Sequence, residues 1–173
     1  MTRDPATTPK GVAVLGSTGS IGTTALRVLD RQRQRFQVRA LTANSNAALL
    51  KAQVRQFQPS FVGMVESNAD GDDAWESGTH ALVSAATRDD VDIVLNAIVG
   101  AAGLDATLAA LQKGKRVALA NKETLVIAGD LVRDACASGS GEVIPVDSEH
   151  SAILQCITGH PASQVRRVVL TAS

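Results

Sequence analysis

A doubly wound α/β architecture, a parallel sheet with helices over both faces, is what this 173-residue sequence specifies. Short aliphatic runs alternate with amphipathic stretches along the whole chain. The composition is 45% apolar, yet only four residues are aromatic, Phe36, Phe57, Phe61 and Trp75. The core therefore has to be built from Val, Leu, Ile and Ala, the composition of buried parallel strands. A glycine-rich turn follows the first strand and opens the first helix, the order expected of strand–helix–strand units with right-handed crossovers.

Taken in order, residues 12–15 form a continuous apolar strand, and 21–30 an amphipathic helix with apolar side chains at 21, 25, 26, 28 and 29. Residues 36–41 read as a second strand, 47–56 as a helix and 61–65 as a third strand. The stretch 67–78, rich in Asp, Gly and Ser, is an exposed connection. Residues 81–85 read as a further strand and 93–99 as a firmly apolar one. Residues 104–112 are a helix that ends at Gly114, the usual place for a terminating glycine. A strand at 117–120, a helix at 124–137, a strand at 142–146, a helix from 151 to 157 and a last strand at 165–171 complete the pattern. No internal repeat interrupts it.

Charge and cysteine content exclude several classes. Lys+Arg 17 and Asp+Glu 17 cancel, so the chain lacks the basic footprint of a nucleic-acid binder, and it has few aromatics on which bases could stack. No apolar run approaches the ~18 residues of a membrane span. The polar, acid-containing start Met1-Thr2-Arg3-Asp4-Pro5 is unlike a signal peptide. Cys136 and Cys156 form neither a disulfide framework nor a redox pair, so a cytoplasmic location with both thiols reduced is expected. Arg27, Arg31, Arg33 and Arg35 read as a solvated helix end, His80 and His160 lie outside any ligand spacing, and Cys136 reads as buried and inert.

The glycine turn is Gly16-Ser17-Thr18-Gly19-Ser20-Ile21-Gly22. Glycines permit a tight turn and close backbone approach, and the free amides at the helix start meet phosphates, so a Rossmann-like nucleotide site is expected. NAD-binding chains of this fold place an acid at the end of the second strand. Here that segment reads Arg39-Ala40-Leu41-Thr42-Ala43-Asn44-Ser45-Asn46, with no carboxylate and with Arg39 as a nearby donor, which favours NADP over NAD.

Two more polar clusters stand at strand ends, where ligands of open α/β sheets bind. Ala120-Asn121-Lys122-Glu123 places a compact positive charge, Lys122, toward a ligand oxygen. Pro145-Val146-Asp147-Ser148-Glu149-His150 follows the next strand. In extended geometry Asp147 and Glu149 point the same way, and paired carboxylates suit Mg²⁺ or Mn²⁺. A helix cap at Asp147 or Ser148, with Glu149 following the dipole, accounts for the same residues equally well. His150 reads as structural or as a group supporting the carboxylates.

Four motifs in this order and separation, GSTGSIG at 16–22, IVGAAGL at 98–104, LANKE at 119–123 and PVDSEHSAI at 145–153, resemble the 1-deoxy-D-xylulose 5-phosphate reductoisomerase family from about Gly11 to Ser173. The resemblance implies NADPH- and divalent-metal-dependent (Mn²⁺, Mg²⁺ or Co²⁺) conversion of 1-deoxy-D-xylulose 5-phosphate to 2-C-methyl-D-erythritol 4-phosphate, by a homodimer of the non-mevalonate isoprenoid pathway. Carried over by position, Thr18, Gly19, Ser20 and Ile21 hold the pyrophosphate, and Asn46, Asn121 and Glu123 face the cofactor. Asp147 and Glu149 bind metal, Lys122 and Glu149 are catalytic, and Lys122, Ser148, Glu149 and Ser173 contact substrate. After the second strand the family often reads Gly-basic-Asn, whereas this chain has Asn44-Ser45-Asn46, so a basic contact at Ser45 is lost.

The expected organisation is an NADP-binding domain over 1–147 and the start of a catalytic, metal-binding domain over 148–173. The family continues further, to a third metal carboxylate, a substrate-phosphate site and a lid. The chain is therefore expected to be truncated, with little turnover of its own. Two rival readings are a dehydrogenase of the aspartate-semialdehyde type, which needs a catalytic cysteine in a strand-to-helix loop where neither Cys136 nor Cys156 stands, and a non-catalytic NADP-binding module.

Overall fold

The computed structural model describes residues 8–66 and 74–169. Among them seven strands form one parallel sheet: β1 (Lys10–Leu15), β2 (Phe36–Ala43), β3 (Phe61–Met64), β4 (Glu76–Ser77), β5 (Ile93–Asn96), β6 (Arg116–Leu119) and β7 (Glu142–Pro145). Their order is β4-β3-β2-β1-β5-β6-β7, every neighbouring pair parallel. The helices are α1 (Ser20–Arg31), α2 (Ala47–Phe57), α3 (His80–Thr87), α4 (Leu104–Gln112), α5 (Glu123–Gly139) and α6 (Ser148–Ile157).

Strand alternation sorts the core into two layers. Ala13 and Leu15 of β1, Val94 of β5 and Val117 and Leu119 of β6 meet α3, α4 and α5 through Leu82, Ala85, Ala106, Ala110, Leu111 and Val132. Val12 and Val14, from the other face of β1, meet Val38 and Leu41 of β2, Leu26 of α1 and Leu50 of α2. Burying a leucine such as Leu41, Leu50 or Leu111 completely contributes about 1.5–3 kcal/mol each. The register between β1 and β2 slips at Val12/Ala13, leaving Arg39 as an extra residue. This bulge lets Val38 and Leu41 lie on the same face despite their odd spacing.

The structure departs from the sequence expectation in four places. Residues 81–85 are helical: Ala81, Leu82, Ala85 and Ala86 of α3 are buried at helical spacing. The strand expected at 93–99 stops at Asn96, and Val99 is 89% exposed. The last helix starts at Ser148 rather than 151, because Asp147 caps it by accepting from the His150 amide. Among the described residues 165–169 join no strand, and the rest of the expected strand, 170–171, lies outside the described residues, as does Ser173. Val168 and Val169 are 51% and 69% exposed, which is the state of a β-prone sequence without a neighbouring strand to pair with.

Candidate functional site

The sheet reverses its winding at β1, which has β2 on one side and β5 on the other. A crevice opens at the carboxyl ends of such strands. Gly16, at φ +78°, turns the chain out of β1, and a Cβ there would stand 3.0 Å from the Ala97 carbonyl oxygen. Gly22 lies tighter still, since its Cβ would come within 2.3 Å of the Gly16 oxygen and 2.7 Å of the Ser17 Cα. Only glycine lets the start of α1 fold onto the loop. The N-cap of α1 is Gly19, which has no side chain to cap with, and the first turn carries no acid. The amide donors and the positive end of the helix dipole are thus left for an anion. Thr18 is half-buried beside them, while Gly19, Ser20 and Ile21 face solvent.

Buried amides fix this loop. Ser17, fully buried, donates its hydroxyl to Gln53 Oε1 at 2.7 Å, and Gln53 Nε2 returns a bond to the Ser17 carbonyl at 2.9 Å. The Ser17 amide donates to the Thr42 carbonyl at 2.8 Å. Sequence reasoning passed over Gln53, although a glutamine three residues after the buried Leu50 on the packed face of α2 was a usable signal.

The loop after β5 is shaped likewise by two asparagines. Asn96, fully buried, donates to the Gly103 carbonyl at 3.1 Å and to Thr107 Oγ1 at 2.9 Å, and accepts from the Ile98 amide at 3.1 Å. Asn121, also buried, donates to the carbonyls of Ile98 and Gly100 and accepts from the Thr124 amide. The sequence expectation had Asn121 facing the cofactor, but its side-chain donors are committed to the 98–100 loop, so it positions backbone. Lys122 and Glu123 are exposed at the start of α5.

At the next strand end, Asp147 and Glu149 stand in one turn of helix, not in the extended geometry expected of them. Asp147 accepts from the His150 amide at 2.9 Å and pairs with His150 Nδ1 at 2.7 Å. Partial burial works to raise the Asp147 carboxyl, but the His150 bonds and the His150 and Lys122 charges outweigh it and hold the carboxyl below the ordinary range. Glu149 is likewise lowered, by its own amide, by the Ser148 hydroxyl at 2.9 Å and by Lys122. The Lys122 charge thus acts on both acids. Two ionised oxygen donors fit the chemistry of a hard divalent cation. The count falls short of a full ligand set, because among the described residues no group of three or more His, Cys, Asp or Glu gathers. Ser148 and Glu149 also border a groove of about 730 Å³ between α6 and the segment after it, lined in part by Ile153, His160 and Arg167.

At the end of β2 the picture changes from the sequence expectation. Arg39 occupies the bulge, with its side chain beside Gly11 near the amino end of β1 and its charge acting on Asp90, away from the site. Asn46 caps α2 by accepting from the Leu49 amide at 3.1 Å. A carboxylate does reach this region, from the segment that follows β3: Glu66 Oε1 accepts from Asn44 Nδ2 at 2.7 Å.

Comparison with known proteins gives one answer. The family model for 1-deoxy-D-xylulose 5-phosphate reductoisomerase matches residues 12–129, and that for its C-terminal domain matches 143–173. The reductoisomerase of Oleidesulfovibrio alaskensis is 45% identical over 175 residues, covering 95% of this chain and 43% of the relative. The Zymomonas mobilis reductoisomerase solved with NADPH superposes with a TM-score of 0.80 at 42% identity, covering 88% of this chain and 42% of that one. A reductoisomerase solved with NADPH, fosmidomycin and magnesium superposes at 0.81 with 40% identity, over 89% of this chain and 40% of that one. The chain therefore spans less than half the length of the relatives it matches. Over that span, the matching family models, relatives and superposed structures place it in the 1-deoxy-D-xylulose 5-phosphate reductoisomerase family.

Proposed function

We propose that this chain supplies the NADPH-binding part and two metal-binding carboxylates of an enzyme that rearranges and reduces 1-deoxy-D-xylulose 5-phosphate to 2-C-methyl-D-erythritol 4-phosphate. The observation that carries this reading is the shared sheet edge: the open, glycine-lined start of α1 and the Lys122–Asp147–Glu149 corner all follow carboxyl ends of parallel strands. Relatives solved with NADPH and with magnesium support it.

When bound, NADPH supplies the hydride and the cation polarises the substrate's carbonyl and hydroxyl oxygens. The open amides of Ser20 and Ile21, with Thr18 beside them and Gly19 closing the loop by donating to the Gly16 carbonyl, bind the pyrophosphate. Asn96 and Asn121 hold the 98–100 backbone as a fixed wall of the crevice. Glu123 and Asn46 flank the cofactor. Asp147 and Glu149 hold the cation, Ser148, Glu149 and Ser173 contact substrate, and Lys122 places positive charge where a substrate oxygen gains negative charge. In this reading residues 1–147 form the dinucleotide-binding unit and 148–173 begin the catalytic unit. The enzyme acts as a cytoplasmic homodimer, and this chain alone has little turnover. Among the described residues no helix is long and apolar enough to cross a membrane.

The test is fluorescence titration of the purified protein with NADPH. Saturable binding is expected, and Gly22→Val should weaken it by about a hundredfold, the scale of ~2.7 kcal/mol, because the new side chain occupies the space of the Gly16 carbonyl. Absence of NADPH binding, or an unchanged affinity in a folded Gly22→Val protein, overturns the reading.

A further inference from the structure

Beyond the end of β2 the chain presents three uncharged polar side chains in a row, Asn44, Ser45 and Asn46. The sequence of this segment holds no acid, which by itself favours a 2′-phosphate. Pairing of β2 with β3 alters the balance. The β2–β3 ladder continues past both strands, with the Val65 amide on the Ala43 carbonyl at 3.0 Å and the Glu66 amide on the Asn44 carbonyl at 2.8 Å. The Glu66 carboxylate then closes the ring by accepting from Asn44 Nδ2 at 2.7 Å. Glu66 is thus held beside Asn44 by backbone and side chain together. Both are exposed on the carboxyl edge, and Arg39, the cation nearest in the β2 sequence, lies in the bulge toward Asp90.

In dinucleotide folds the adenosine ribose lies beyond the end of the second strand, and an acid there accepts from a 2′-hydroxyl and repels a 2′-phosphate. We propose that Glu66 is a specificity-determining residue of this chain, a carboxylate delivered by the neighbouring strand that weakens its hold on NADPH and helps it hold NADH. The proposal rests on the reading of the glycine loop as an NADPH site and deepens it.

The experiment is calorimetric titration of the protein, Glu66→Gln and Glu142→Gln with NADPH and, separately, NADH. Glu142 carries the same charge at the far end of the sheet, paired with Arg116, and controls for net charge. Glu66→Gln should tighten NADPH about fivefold and weaken NADH about twofold, the scale expected of one exposed charge. The NADPH gain should shrink by at least half in about 0.5 M salt, where exposed charges are screened within a few ångströms. Glu142→Gln should leave both affinities within about twofold, since it lies more than a screening length from the site. An NADPH-to-NADH ratio unchanged by Glu66→Gln, or shifted equally by Glu142→Gln, overturns the assignment of Glu66 while leaving the NADPH site standing. Failure of the unaltered protein to bind either nucleotide overturns the site reading and this inference with it.

Discussion

Around the crevice between β1 and β5, the polar side chains that shape the loops are buried and fully engaged: Ser17 with Gln53, Asn96 with Gly103, Thr107 and Ile98, and Asn121 with Ile98 and Gly100. After β7, on the same sheet edge, α6 has no buried residue, and Glu149 and His150 are exposed while Asp147 is tied only to His150, by the amide cap and the ring Nδ1. A loop held by buried amides has one geometry, since every alternative leaves a desolvated donor or acceptor unpaired. A helix turn held by one cap, on a helix with no buried residue, keeps its local shape but takes little rigidity from the core. The glycine-loop side of the crevice is therefore preformed, and the acidic corner depends on its cap.

The sharpest way to break this contrast is Asn96→Ala. It strands the Ile98 amide, the Gly103 carbonyl and the Thr107 hydroxyl inside the protein and should cost ~3 kcal/mol in urea unfolding, whereas Asp147→Ala, a lost helix cap, should cost ~1 kcal/mol or less. Equal costs would mean that the two regions are anchored alike. Next in size is Asp147→Asn combined with Glu149→Gln, which should weaken Mn²⁺ binding at least about tenfold, ~1.4 kcal/mol, while leaving NADPH affinity within about twofold. Unchanged Mn²⁺ affinity would favour a non-catalytic NADP-binding module.

The smallest expected effect concerns acid. Half-buried Asp90 lies at the opposite edge of the sheet, beneath the crevice, where it accepts from Arg88 Nε at 2.8 Å and from Ser60 Oγ at 2.6 Å. Partial burial tends to raise its carboxyl, but the Arg88 and Ser60 bonds and the Arg88 and Arg39 charges carry it below its ordinary value of 3.8. A carboxylate lowered on folding stabilises the protein fully above its unfolded pKa and loses that contribution as pH falls through the folded value. Stability should therefore decline as pH falls below about 4, and Asp90→Asn should remove the part due to Asp90 in denaturation curves taken across that range. An acid limb that persists unchanged in Asp90→Asn would place the sensitivity elsewhere.

Much of this molecule was legible in its residues. The aliphatic runs located the main strands, and the glycine turn between strand and helix located the crevice. What escaped was local ambiguity or long-range pairing. Ala81-Leu82-Val83-Ser84-Ala85 is short and apolar enough to suit either state, and packing of α3 on the sheet decided for the helix. Asp147 had two readings of equal standing, ligand pair or cap, and in the fold its carboxylate caps α6, with the Glu149 acid in the same helical turn.

By itself, then, the sequence determined the parallel α/β sheet, the place of its glycine-lined crevice and the family, because hydrophobic period, turn glycines and motif order are local properties. Only the tertiary structure decided which side chains act on which backbone. Gln53 reaches a loop 36 residues before it, Asn121 a loop 21 to 23 before it, and Glu66 an asparagine 22 before it. Strand neighbours in a doubly wound sheet are brought together by crossovers, and no local pattern records which polar atoms will meet when those strands pair.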